Sequence, residues 1–316
     1  MIRRIIKGEL LTREEANSLI DAPLEELCKA ADEIRRHFCG TKFDVCSIFN
    51  GKCGKCSENC KFCAQSVFHK TEISEYSMIE NAEKIVQEAN YNHSKGIQRF
   101  AIVTSGRGLS DKEAAIVCAN YKAVADSCAI GLCASHGLLT ARQLENLKES
   151  GVTRIHCNLE TGRNYFPNIC TTHTYDDRVN TIKAAQKIGL EICSGGIFGL
   201  GESWADRIDM AFDLRELGVK SVPINALQAI PGTPLEGQKP LLPAEIRRIV
   251  AIYRFILPDA AIRMAAGRGL LSDKGRSLFQ SGANACITGD MLTTAGVHVD
   301  EDMPMIQELG FVVTPL

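Results

Sequence analysis

A chain of 316 residues accommodates one large domain or two small ones, and barrels of this length are common as single units. A formal charge of −2 gives no general attraction to nucleic acid or to an anionic membrane, and no apolar run reaches the length of a membrane span, so neither partner is expected. Fourteen cysteines, with one tight cluster among them and no signal-peptide pattern in the opening Met-Ile-Arg-Arg-Ile-Ile-Lys, point to reduced thiols and metal in a reducing cytoplasm.

Leu10, Leu19, Leu24, Leu27, Ala31 and Ile34 recur at helical spacing through residues 9–38, and Thr12-Arg-Glu-Glu15 reads as a capping box. Residues 1–43 are thus expected to form an N-terminal helical extension, placed as a lid or cap. From Asp44 onward short apolar runs alternate with longer amphipathic ones. Strands are expected at 44–49, 99–104, 130–134, 154–159, 191–195, 221–227, 261–265 and 284–288. Helices are expected near 77–95, 110–126, 140–150, 174–188, 203–217, 242–257 and 272–281. Ser77, Ser110, Thr140, Thr174, Ser203 and Ser272 stand as N-caps, and Gly96, Gly151, Gly189 and Gly218 as terminators. Eight such units predict a (β/α)8 TIM-type barrel over 44–295, with a C-terminal extension over 296–316. An open doubly wound sheet fits the alternation too, but eight units favour closure. In either fold, function gathers at the C-terminal ends of the strands.

Directly after the first expected strand comes Cys56-Ser-Glu-Asn-Cys60-Lys-Phe-Cys63, preceded by Gly51 and Gly54. Thiolates are iron–sulfur ligands, and three of them on four irons leave one iron open to a small molecule. Offsets of four and three also suit the buried face of a helix, but Gly, Ser, Asn and Lys crowd the segment and favour turns. Adding Cys53 gives C-x2-C-x3-C-x2-C, a zinc or four-cysteine cluster pattern whose pairs lie closer together than zinc sites prefer.

Further candidates follow along the barrel. Cys46, Cys133, Cys193 and Arg263 fall in the first, third, fifth and seventh expected strands. Inward-facing layers could bring them together as a second metal site, against the plainer reading of small core residues and an ion-paired arginine. Gly195 and Gly196, in Cys193-Ser-Gly-Gly-Ile-Phe-Gly-Leu-Gly-Glu202, permit close backbone approach by a ligand such as methionine or adenosine. Asn158 and Glu160 end the fourth strand with a shared facing suited to a ribose diol or polar substrate; an Asx turn and a helix-end charge would leave the same pattern. Asn225 is a lone amide in an apolar strand and must be paired, by protein or substrate. Thr293 and Thr294 follow the eighth strand, placed to hold a carboxylate or to cap a turn.

The C-x3-C-x2-C motif, with an aromatic residue before its last cysteine, resembles the signature of the radical S-adenosylmethionine superfamily. Cys56–Ser66, Ile155–Thr161, Asn168–Tyr175, Cys193–Glu202, Val222–Leu227, Arg263–Arg268 and Gly282–Thr294 together resemble the biotin synthase family within it. The resemblance implies a 4Fe–4S cluster on Cys56, Cys60 and Cys63, with S-adenosylmethionine on the open iron and Phe62 beside its adenine. It implies sulfur insertion into dethiobiotin, with sulfur from an auxiliary cluster and a 5′-deoxyadenosyl radical as the hydrogen abstractor. Asn158 and Glu160 would then serve ribose or substrate, Asn225 the ureido ring, and Thr293 with Thr294 the carboxylate tail. A homodimer and an electron donor such as flavodoxin or ferredoxin go with the family.

The sequence departs from the family pattern in its auxiliary site, which is familiarly a 2Fe–2S cluster on cysteines of strands two, three and five plus the strand-seven arginine. Here strand two reads Arg99-Phe-Ala101, without a thiol, and Cys46 stands where the pattern has serine. The expectation is a rearranged cluster, 2Fe–2S or of a four-iron type, on Cys46, Cys133 and Cys193 with Arg263 beside it and Cys39 in reserve. His156 replaces an asparagine two positions before Asn158. Rival functions are a hydrogenase-cofactor maturase, a methylornithine synthase relative, or a non-enzymatic iron–sulfur carrier.

Overall fold

The computed structural model describes all 316 residues. Its elements in chain order are α1 (Ile2–Ile6), α2 (Arg13–Ser18), α3 (Leu24–Cys39), β1 (Lys42–Cys53), β2 (Tyr76–Ser77), α4 (Ala82–Ser94), β3 (Arg99–Thr104), α5 (Asp111–Ser127), β4 (Gly131–Ser135), α6 (Ala141–Glu149) and β5 (Val152–His156). There follow α7 (Tyr175–Lys187), β6 (Glu191–Cys193), β7 (Gly196–Phe198), α8 (Trp204–Glu216), β8 (Ser221–Ala226), α9 (Pro243–Ile256), β9 (Ala261–Met264), α10 (Arg276–Phe279), β10 (Ala285–Thr288), α11 (Val299–Glu308) and β11 (Val312–Val313). Eight parallel staves run in order around the sheet: β1, β3, β4, β5, β6 continued by β7, β8, β9 and β10. Pairing of β10 back onto β1 closes the expected (β/α)8 barrel. A closed stave is covered on both faces, which is why β3 is buried at every residue, Arg99 included.

Local chemistry sets most of the boundaries. Ser110, Thr140, Thr174 and Ser203 complete capping boxes, as does Thr12 with Glu15. Gly96, Gly151, Gly189 and Gly218 all take positive φ just past helix ends. Two expected starts are wrong. Ser77 lies in β2, opposite Lys52 of β1, and α4 begins behind Asn81, whose side chain accepts from the Lys84 amide. Ser272 caps no helix: left-handed Lys274 and Gly275 (φ 52° and 92°) interrupt the turn and leave only the four-residue α10. The C-terminal segment carries elements the sequence pattern does not announce, α11 and β11. The latter pairs with Lys42 and Phe43 of β1 outside the closed ring.

The N-terminal helices are not the lid their place in the chain suggests. They flank α9, where Arg247 pairs with Glu25 at 2.6 Å and Arg248 donates to the carbonyls of Leu19 and Ala22. No residue of 1–43 lines the cavity in the barrel mouth.

The fifth stave breaks at Ser194 and Gly195 between β6 and β7. A Cβ at Gly195 would overlap the Pro223 carbonyl oxygen on β8, and one at Gly196 would overlap that of Glu160. Close packing of backbone on backbone is what demands these glycines; neither lines the cavity. Gly195→Ala is expected to lower stability by about 1–3 kcal/mol, since the obstacle is main chain rather than a flexible side chain. The denaturant midpoint reads this directly, and an unshifted midpoint would contradict it.

Candidate active site

Beyond β1 the chain turns through Gly54 and Lys55, both at positive φ, into the cysteine loop. The Cys56 amide donates to Gln65 O at 2.9 Å, and the Val67 amide to Cys56 O at 2.9 Å, so the loop closes on itself. The segment 169–173 buttresses it from outside: the Lys61 amide donates to Ile169 O at 2.9 Å and Asn59 Nδ2 to Thr171 Oγ1 at 2.7 Å. Residues 56–63 form no helix, so the reading of three core cysteines on one helical face falls away. Cys53 stays within β1, opposite Tyr76, and is not among the cavity walls, which removes the four-cysteine pattern.

Cys56, Cys60 and Cys63 all line one cavity of about 370 Å³ at the C-terminal end of the barrel. Burial, with Cys56, Glu160 and Cys53 adding to it, pushes the Cys63 thiol up to about 11. Cys60 is pushed well above the ordinary thiol range by its hydrogen bond to Cys170 and by burial. Cys60 and Cys63 are thus poorly placed to ionise on their own. A bound cation reverses that balance, so the loop fits a metal cluster.

Around this loop the walls are polar and specific. Phe62, Asn158 and Glu160 line the cavity, and so do Asn225, Thr293 and Thr294. Asn158 Oδ1 accepts from the Gly195 amide at 3.0 Å, and its Nδ2 donates to Glu160 Oε2 at 3.3 Å. Glu160 sits at φ 71°, a left-handed conformation unusual outside glycine. Arg178 holds the pair in place: its guanidinium donates to Asn158 O at 2.8 Å and lies 3.3 Å from Glu160 Oε1. Asn225 is already paired by protein, donating to Gly196 O at 3.0 Å and accepting from the Ala266 amide at 3.1 Å. One N–H and one lone pair of that amide remain for a ligand. The loop bearing Thr293 and Thr294 is tied to β1 by Asn50 Nδ2 donating to Leu292 O at 3.0 Å. Gln228 lines the same cavity, and its Oε1 is buried without a hydrogen-bond partner.

A second group of sulfurs lies deeper. Cys46, Cys133 and Cys193 all face the cavity, as does His156. The neighbouring Cys133 and burial push the Cys46 thiol well above the ordinary range, while Cys46, Arg154 and Arg99 bring Cys133 below it against burial. Burial alone would raise Cys193, but His156, Arg263 and Arg154 outweigh it and bring the thiol down to about 6. Ser221 Oγ donates to the same sulfur at 3.3 Å.

Beneath the sulfurs the Asp44 carboxylate meets three guanidiniums, two of which also meet Glu191. Arg263 Nη2 lies 2.6 Å and Arg99 Nε 3.2 Å from the Asp44 carboxylate, with Arg154 at 3.9 Å. Burial opposes the charge on Asp44, yet the three arginines prevail and hold its carboxyl at about 2. A second carboxylate, Glu191, lies 2.8 Å from Arg154 and 3.4 Å from Arg99, so only Arg263 depends on Asp44 alone, and three guanidiniums against two carboxylates leave a net positive floor beneath the thiols. Arg263 therefore has the buried anionic partner its position demands, and its other terminal nitrogen donates to Cys286 O at 2.9 Å. Cys39, the reserve ligand, lies elsewhere, against the guanidinium of Arg254 at 3.7 Å.

Several residues escape reading from sequence: Arg154, Arg178, Gln228 and His173 in the cavity wall, and Asp44, Arg99 and Cys170 behind it. A signal exists for Asp44, Arg99 and Arg154. Each lies two residues before an inward-facing position, so Asp44 precedes Cys46, Arg99 precedes Ala101 and Arg154 precedes His156.

Comparison with known proteins follows the same lines. Residues 52–214 match the Radical SAM superfamily and residues 223–312 the Biotin and Thiamin Synthesis associated domain. A biotin synthase of Akkermansia muciniphila is 54% identical over 313 residues, covering 99% of this chain and 97% of that protein. One from Clostridium botulinum (strain Loch Maree / Type A3) is 53% identical over 311 residues, covering 98% of each. Among solved structures, methylornithine synthase superposes with a TM-score of 0.87 at 18% identity, over 99% of this chain and 97% of that one. The FeFe-hydrogenase maturase of Carboxydothermus hydrogenoformans gives 0.84 at 17%, over 99% and 78%. Those two share the fold; the sequence likeness lies with the biotin synthases.

Proposed function

The chain belongs to the biotin synthase family of radical S-adenosylmethionine enzymes, and from that premise we propose how its own residues divide the work of inserting sulfur into dethiobiotin. The observation that carries the assignment is a single cavity walled at its mouth by Cys56, Cys60 and Cys63 and at its depth by Cys46, Cys133 and Cys193. The two trios would thus hold their groups on one cavity, with room for substrate between them. When bound, a 4Fe–4S cluster supplies the electron that cleaves S-adenosylmethionine, and an auxiliary cluster supplies the sulfur atom.

Cys56, Cys60 and Cys63 hold the first cluster, and Phe62 lies beside the adenine. Glu160, fixed by Arg178 and Asn158, accepts from the ribose hydroxyls. Gly195 and Gly196 contribute through position: they let the fifth stave approach Glu160 and deliver the Gly195 amide to Asn158. Asn225, with its spare donor and acceptor, and the orphan acceptor of Gln228 bind the ureido group. Thr293 and Thr294 bind the carboxylate tail at the rim. The apolar lining, including Ile48, Val103 and Leu292, holds the alkyl chain and excludes water from the reacting carbons.

Cys46, Cys133 and Cys193 hold the auxiliary cluster. Arg263, its terminal nitrogens engaged by Asp44 and Cys286, serves there as a charge rather than a ligand. Reduction falls to a donor such as flavodoxin or ferredoxin, and the working unit is a homodimer.

Anaerobic incubation with dithionite, S-adenosylmethionine and dethiobiotin is expected to yield biotin and 5′-deoxyadenosine by mass spectrometry. Cleavage without biotin would redirect the assignment to another radical enzyme, and no cleavage at all would leave an iron–sulfur carrier. For the deeper site, reconstituted Cys56→Ala protein is expected to retain iron and sulfide with a Mössbauer signature of its own. A spectrum without any cluster would refute the second site.

A further inference from the structure

Two metal-binding side chains beside Cys60, those of Cys170 and His173, are absorbed by none of the roles above. Cys170 Sγ lies 3.7 Å from Cys60 Sγ and 3.3 Å from His173 Nδ1, and all three side chains are buried. Glu58, also buried, is in contact with the same ring nitrogen. We propose that the cluster-free chain binds a single divalent cation of the zinc class at Cys60, Cys170 and His173.

The distances are those of a tetrahedral face. With zinc–sulfur bonds near 2.3 Å and zinc–nitrogen bonds near 2.0–2.1 Å, the sulfur–sulfur edge is about 3.8 Å and the sulfur–nitrogen edge about 3.6 Å. Two of the three edges thus match to within a few tenths of an ångström, and the third, from Cys60 to His173, lies within 4.8 Å. Sulfurs held so close suit one ion and not separate corners of a cubane, whereas Cys46, Cys133 and Cys193 form no comparably tight group. Two thiolates and an imidazole select zinc-like metals over magnesium or calcium, which take oxygen.

Binding through Nδ1 moves the ring proton to Nε2, so Arg178 gives up its 3.0 Å hydrogen bond there. Its guanidinium keeps Asn158 and Glu160 as partners. Glu58, released from Nδ1, stands ready to fill the fourth position.

The ion site stands on its own geometry. A consequence rests on the assignment of Cys60 to the radical cluster: the ion and the cluster compete for one sulfur, so zinc blocks cluster assembly.

Cobalt(II) gives this site a spectrum. Full-length chain, stripped of iron and kept reduced, is titrated anaerobically with cobalt(II) and then with zinc. The expected result is one equivalent of cobalt with thiolate charge-transfer absorbance and tetrahedral d–d bands, displaced by zinc. Cys170→Ala and Cys170→Ser, checked for folding by circular dichroism, are expected to weaken binding about tenfold or more, while Cys53→Ala leaves it unchanged. No saturable signal, or the same titration in both Cys170 variants, overturns the site. Zinc-loaded wild type is then expected to resist iron–sulfur reconstitution, and Cys170→Ala to reconstitute in the presence of zinc. If zinc binds yet reconstitution proceeds unhindered, the ion site stands and the assignment of Cys60 as a cluster ligand fails.

Discussion

Cys63→Ala is expected to abolish reductive cleavage of S-adenosylmethionine while leaving the barrel folded. Two remaining thiols on the loop do not hold a four-iron cluster in place, and the loss is expected to exceed the roughly 10- to 100-fold that removing an outer-shell partner costs a metal site. The fold does not depend on the thiol. The loop is closed by main-chain bonds from the Cys56, Cys63 and Val67 amides, all of which alanine preserves. Unchanged circular dichroism, loss of about four irons per chain on reconstitution, and no 5′-deoxyadenosine by mass spectrometry make up the expected outcome. Cys53→Ala is the control, because that residue stays in β1 away from the cavity. Retention of cluster and cleavage in Cys63→Ala would end the assignment of this loop.

The second large effect falls on stability. Asp44→Asn keeps the shape of the side chain but leaves buried Arg263 without its carboxylate partner, while Arg99 and Arg154 keep only the more exposed Glu191. Breaking the buried Arg263–Asp44 pair in this way costs about 3–5 kcal/mol, because the Arg263 guanidinium remains desolvated without compensation. Guanidinium chloride unfolding of the two proteins measures it. The pH dependence has a definite sign: the Asp44 carboxyl is held down to about 2 in the folded chain, below its unfolded value of about 3.9. Its contribution is therefore complete above the unfolded value and is lost as pH falls toward the folded one. The gap between wild type and Asp44→Asn should stay constant from neutral pH to mild acid and narrow below it. A gap that instead widens in acid would show that Asp44 does not carry the charge of the network.

How much of this is legible in the sequence depends on the range of the interaction. The barrel is legible because its signals are local: the capping boxes at Ser110, Thr140, Thr174 and Ser203 each act over three residues. The cysteine loop is legible for the same reason. Ser77 fails as a helix start because β2 is held by pairing with β1, a contact that no local pattern announces. Asn225 looks unpaired in the chain because its partners, Gly196 and Ala266, come from other staves. Arg178 sits on α7 among ordinary helix-surface residues, and only the turn of Glu160 into left-handed backbone brings the two together. The need for glycine at 195 is visible from composition, whereas its reason, the carbonyl of Pro223, is not. Arg263 is the instructive middle case. Burial of an arginine in a strand announces a missing anion, but the identity of that anion as Asp44 lies across the closure of the barrel.

The plug of Asp44 and its arginines has one more effect, on traffic. It stoppers the end of the barrel remote from the cysteine loop: Asp44 and Arg263 are almost wholly sealed from solvent, and Leu316 donates to Asp44 and accepts from Arg154 across the base. Only one doorway is left to the deeper sulfurs. On the proposed function, iron and sulfide for an auxiliary cluster on those sulfurs would come in where substrate enters and product departs, so its repair would wait until the chamber is vacant.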